Sequence, residues 1–139
     1  MKRLARFVIV TCAAGLAALA ARAQSLIVDT ATVEQAQRDG AYRAESLAQV
    51  GFIHFSGAEQ VVRVANALYS GQGDLVLLVV DPARLKAELR YETPADMPPG
   101  GERFPHLYGA LNLDAVLRVV DFPPDAGSGW SRLPPGAED

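Results

Sequence analysis

A chain of 139 residues with 13 Lys and Arg against 16 Asp and Glu carries a formal net charge of −3. That length allows one domain at most. An acidic balance without any long run of Lys or Arg disfavours a protein that grips nucleic-acid phosphates or an anionic membrane through a basic patch.

The first 23 residues read as a secretory leader. MKRLAR is a basic start, FVIVTCAAGLAALA an apolar run, and Ala21-Arg22-Ala23 a small-x-small site that places cleavage before Gln24. The apolar run from Phe7 to Ala21 is shorter than the roughly 20 residues a membrane span needs. A cleaved leader is therefore expected rather than an anchor, with no stable membrane insertion afterwards. Cys12 follows a threonine, with too little apolar sequence ahead of it for a lipoprotein signal. Cleavage lowers the basic residues from 13 to nine against 16 acids, takes the charge from −3 to −7 and removes the only cysteine. The expected product is an exported domain, periplasmic or secreted, over residues 24–139. It has neither disulfide nor thiol nucleophile and must cohere through its core alone.

LIVDTAT (Leu26 to Thr32) reads as a first strand. Thr32 with Gln35 has capping-box spacing and Gly40 closes the short helix that follows. AYRAES reads as a loop, and Ser46 with Gln49 opens one helical turn ending at Gly51. FIHF is a second strand. Beyond Ser56, the residues Val61, Val64, Ala65 and Leu68 fall at i, i+3, i+4 and i+7, the stripe of an amphipathic helix. DLVLLVVD is apolar on both faces and so predicts a central strand. ELRYE and AVLRVVDF supply further strands, TPADMPPGGER is a Pro/Gly-rich loop, and LNLD is turn-like. The core is expected over about residues 26–122, with 123–139 a loop-like tail pinned by Trp130. Helices and strands mix without regular alternation, which predicts an α+β fold.

Both histidines sit in apolar hexapeptides, GFIHFS and FPHLYG. Alternation on a strand puts Phe52, His54 and Ser56 on one face, and Phe104, His106 and Tyr108 on another. Each histidine is thus paired with a hydroxyl roughly 7 Å along its strand, a combination suited to hydrogen bonding or acid–base work near neutral pH. The plainer alternatives are core histidines, Ser56 as a helix N-cap through Ser56-x-x-Glu59, Tyr108 as a core aromatic, and Arg90 with Glu92 as a solvated ion pair. A metal site would need His54, His106 and either Asp29 or Glu92 to converge. No nucleophile elbow, phosphate-cradling glycine loop or HExxH is present.

Taken together, Gly40-x-Tyr42-x-x-x-Ser46-Leu47, GFIHFS, QVxxVAN (Gln60 to Asn66), DLVLLVVDPxRL, LRYE and FPHLYGALNLDAV resemble the bacterial family called domain of unknown function 952, over about residues 27–134. That family is in turn similar to the ADP-ribosyltransferase-like fold, nearest to RNA 2′-phosphotransferases. The resemblance implies two small packed β-sheets with a cleft for NAD or an ADP-ribose-like ligand. His54, Ser56, Glu92, His106 and Tyr108 would line it, with Tyr42 and Ser46 as further ligand contacts. In a transferase His54 would orient or protonate the ligand, Glu92 would stabilise positive charge at the ribose, and His106 with Tyr108 would close the pocket. One departure stands out. Val28 and Asp29 occupy the place of the family's Tyr-His pair, and an aspartate can accept from ribose hydroxyls but repels pyrophosphate. The expected function is therefore an exported module that binds a small ligand without catalysis. A transferase and a two-histidine metal site are the alternatives.

Overall fold

The strand read as central is the one around which the chain folds. The computed structural model describes residues 22–126 and 129–138, so the expected leader lies outside the described residues except for Arg22 and Ala23. In chain order the elements are β1 (Gln24–Asp29), α1 (Thr30–Asp39), β2 (Ala41–Tyr42), α2 (Glu45–Val50), β3 (Ile53–His54), β4 (Ser56–Gly57), α3 (Ala58–Leu68), β5 (Leu75–Val80), β6 (Glu88–Glu92), β7 (Phe104–Tyr108), β8 (Leu111–Asn112) and β9 (Val116–Asp121). Short 3-10 turns precede β6 and β9. The fold is α+β, as expected. Among the described residues no helix is long and apolar enough to cross a membrane.

All six side chains of β5 are buried, because both faces of its sheet are covered. That sheet runs β4-β1-β5-β9, antiparallel throughout. On one face Leu26, Val28, Val76, Leu78 and Val80 meet Ile53, Leu107 and Leu111 from the remaining strands and Phe55 from the junction between β3 and β4. On the other, Ile27, Leu75, Leu77 and Val79 meet Val61 and Ala65 of α3, together with Phe122, Trp130 and Ala137. The last residue of the predicted α3 stripe, Leu68, is 71% exposed; the helix ends there, at the rim of a groove described below.

A second sheet has the order β3-β7-β6, and β2 pairs with β8 in a third. The third sheet was not anticipated: two-residue strands carry no periodicity, so AYRAES and LNLD look like loop and turn. GFIHFS proves to be two strands rather than one. Ile53 and His54 pair with Leu107 and His106 in the second sheet, whereas Ser56 and Gly57 pair with Ser25 and Gln24 in the first. Between them the Phe55 N–H donates to the Pro105 carbonyl at 2.9 Å.

Three local expectations are corrected. The carboxylate of Asp29 accepts from the Thr32 N–H at 2.7 Å, so Asp29 and not Thr32 caps α1. Gly57 and not Ser56 is the N-cap of α3, and its N–H donates to the Gln60 side chain at 2.9 Å. The core reaches beyond 26–122 at both ends, to Gln24 and Ser25 and to Trp130 and Ala137. Trp130 does pin the tail. Its indole Nε1 donates to the Phe122 carbonyl at 3.1 Å. The Asn66 amide brackets its backbone, donating to Trp130 O at 2.8 Å and accepting from Trp130 N–H at 2.9 Å.

Truncating such a side chain removes its contacts and leaves a void. Trp130→Ala is expected to cost about 3–5 kcal/mol and to lower the thermal midpoint by more than about 10 °C. An unchanged midpoint would mean that the tail adds nothing to the core.

Candidate functional site: a groove beside two histidines

Alternation along the second sheet sorts its residues. Ile53, Leu89 and Leu107 face the core, while His54, His106 and Arg90 are cross-strand neighbours on the opposite face. Glu92 lies across from Phe104 and Glu88 across from Tyr108 on that same face. Both histidines therefore reach one surface, with ring centroids 5.5 Å apart.

His106 is only 3% exposed despite facing away from the core. Phe52 covers it, with centroids 4.0 Å apart and planes within 15°. The Ser46 hydroxyl holds that cover by donating to the Phe52 carbonyl at 2.8 Å. Glu92 joins the histidine to the tyrosine: its Oε2 lies 2.9 Å from His106 Nδ1 and accepts from the Tyr108 hydroxyl at 2.7 Å. These hydrogen bonds, Tyr108's first and His106's second, hold the Glu92 carboxyl below the usual carboxylate range. The same bond pushes the Tyr108 phenol up. An ionised carboxylate only accepts, so Nδ1 of His106 carries the proton and Nε2 is left for another partner. Burial pushes the His54 imidazole below its ordinary value, and neighbouring His106 adds to the effect.

Two adjoining cavities of about 530 and 370 Å³ share His54, His106, Pro94 and Asp96. The larger has apolar walls from Ile27, Phe55, Val64 and Phe104, a rim at Leu68 and Met97, and the Ser56 hydroxyl. Apolar walls with a few convergent polar groups are the usual make-up of a small-molecule site.

The structure thus brings together His54, Ser56 and His106 at the groove, with Glu92 and Tyr108 behind His106. It separates three other candidates. Asp29 caps a helix. Tyr42 pairs with Leu111 and lines a different cavity with Thr32 and Asp39. Ser46 acts only through Phe52. Arg90 is bidentate to Glu88, at 2.9 Å for both bonds, and lies over the Tyr108 ring, so the expected Arg90–Glu92 ion pair is replaced. Among the described residues no group of three His, Cys, Asp or Glu converges as a metal-binding set. Phe52, Asp96 and Met97 were not among the sequence candidates. Phe52 shares the His54 face, a signal that was available; the two loop residues carry none.

A family model described as "Protein of unknown function (DUF952)" matches residues 27–119. The crystal structure of protein CC0527 from Caulobacter crescentus is 36% identical, covers 75% of this chain and 89% of its own, and superposes with a TM-score of 0.63. The solution structure of the same protein is 34% identical, covers 77% and 90%, and has a TM-score of 0.65. No curated protein matches the chain.

A histidine whose folded value is depressed stabilises the fold above its unfolded value of about 6.5. That contribution is lost as pH falls through the folded value. The thermal midpoint is therefore expected to drop between pH 7.5 and 5.5, and His54→Gln, which cannot titrate, should flatten the drop. Parallel profiles for the two proteins would clear His54 of any part in it.

Proposed function

Because the chain belongs to the DUF952 family of proteins of unknown function, membership assigns no activity, and we propose one from the groove: it binds a small, partly apolar ligand, without chemistry. The observation that carries this reading is the pair of histidines, 5.5 Å apart, at the meeting of two cavities with largely apolar walls. Glu92 fixes a proton on His106 Nδ1, which in the neutral ring leaves Nε2 as an acceptor. His54 offers a second imidazole that burial keeps neutral at pH 7. The role of Glu92 is then to orient His106, since both neighbours spend their hydrogen bonds on it.

A transferase acting on NAD or ADP-ribose, the activity that the sequence resemblance to the ADP-ribosyltransferase-like fold would imply, is the second reading. What favours it is an ionised glutamate beside a histidine at the groove. It stands second because that carboxylate is engaged by two partners.

A thermal-shift titration against adenosine, nicotinamide, ADP-ribose, NAD and a 2′-phosphorylated nucleotide tests both. A ligand at 100 times its Kd stabilises by about 2.7 kcal/mol, which raises the midpoint of a domain this size by roughly 10 °C. The shift should vanish in His54→Ala, whose side chain lies on the face of its sheet away from the core. Consumption of NAD that His54→Ala abolishes would promote the transferase; a silent panel would sink the nucleotide-like ligands.

We propose export on the strength of the basic start, apolar run and Ala21-Arg22-Ala23 site. Expressed with its own leader in a Gram-negative host, the protein should be recovered outside the cytoplasm with a mass beginning at Gln24. A full-length cytoplasmic product would refute this.

A further inference from the structure

The groove is poor in one thing. Among the described residues no Lys or Arg lines either cavity, and the one charged side chain lining both is Asp96. Two cations next to this sheet are engaged elsewhere. Arg90, across from His106 in the sheet, has its guanidinium forked onto Glu88 and laid over Tyr108. Arg103 lines a separate cavity beside the start of α3 and donates to the Tyr91 carbonyl. Behind His106 stands the ionised Glu92. A phosphate bound here would meet Asp96 and Glu92 without a fork of N–H donors to offset them.

The hydroxyls of Ser56 and Tyr69 and the His54 ring can donate or accept, so the two remaining polar groups of the larger cavity set the bias. Asp96 is an acceptor, and His106 Nε2 is an acceptor once Nδ1–H is given to Glu92. Acceptors call for donors on the ligand. We propose that the groove selects a phosphate-free ligand, cationic or uncharged, with an apolar ring-sized body and an N–H or O–H donor for His106 and Asp96. This rests on the reading of the groove as a binding site and narrows it: the pyrophosphate of an NAD-like molecule has no cationic partner among the residues lining it.

The chain has only two histidines, both at the groove, so their ring resonances in protein labelled at histidine report on this site alone. Benzylamine, benzyl alcohol and phenyl phosphate share a ring and differ in charge. The amine and the alcohol should displace both histidine signals saturably, with phenyl phosphate weaker by about tenfold or more. Asp96→Asn, in an exposed loop, should weaken the amine and spare the alcohol. Phenyl phosphate binding as well as the amine would overturn the inference and leave the binding site standing, as would an equal loss of amine and alcohol in Asp96→Asn. If none of the three moves either histidine, the binding site itself falls and the inference with it.

Discussion

The hydrogen bond from Phe55 N–H to the carbonyl of Pro105 fixes where the chain leaves one sheet for another. Pro105 can accept that bond but has no N–H to return, so the ladder between β3 and β7 cannot continue past it. His54 is consequently the last residue of β3, and one residue later the chain is already paired with β1. The Phe55 side chain, 2% exposed, seals the junction inside the core shared by the two sheets. His54 and Ser56 thus belong to different sheets yet wall the same cavity. The groove exists because two sheets diverge at one residue.

A nearly buried histidine on the face away from the core needs support, and its neighbours supply it. Phe52 covers the ring from above, Glu92 takes one nitrogen, and Tyr108 shares that carboxylate. Ser46 has a part that a contact with ligand would not suggest: it anchors the backbone of the residue that covers His106. Burial, stacking and a fixed tautomer all leave His106 with one nitrogen to offer.

The sequence was most legible where the signal is local and repeated. DLVLLVVD reads as a strand buried on both sides, as it is, and of the stripe Val61, Val64, Ala65 and Leu68 the first three pack inward while Leu68 does not. Alternation within FPHLYG placed His106 beside Tyr108, whereas in GFIHFS the chain changes sheet between His54 and Ser56. It failed where partners are distant or rivals are close. Thr32 and Asp29 both suit an N-cap, and the chain takes the earlier one. Glu92 was matched with Arg90 because they are two residues apart, whereas its partners lie across the sheet at His106 and Tyr108. Asp96 sits in a Pro/Gly-rich loop with no period to read, and only the fold brings it to the groove.

The outer strand of the first sheet has a consequence of a different kind. Among the described residues β9 pairs with β5 on one side only, and its Leu117 and Val119 are 40% and 51% exposed. Edge strands are usually blunted by a lysine, a proline or an inward charge. Here the one basic residue, Arg118, is tied to the carbonyls of Gly136 and Glu138. The chain's net negative charge then opposes strand-to-strand association, and salt screens that repulsion. Concentrated in high-salt buffer, this protein should be handled as one with an open seam.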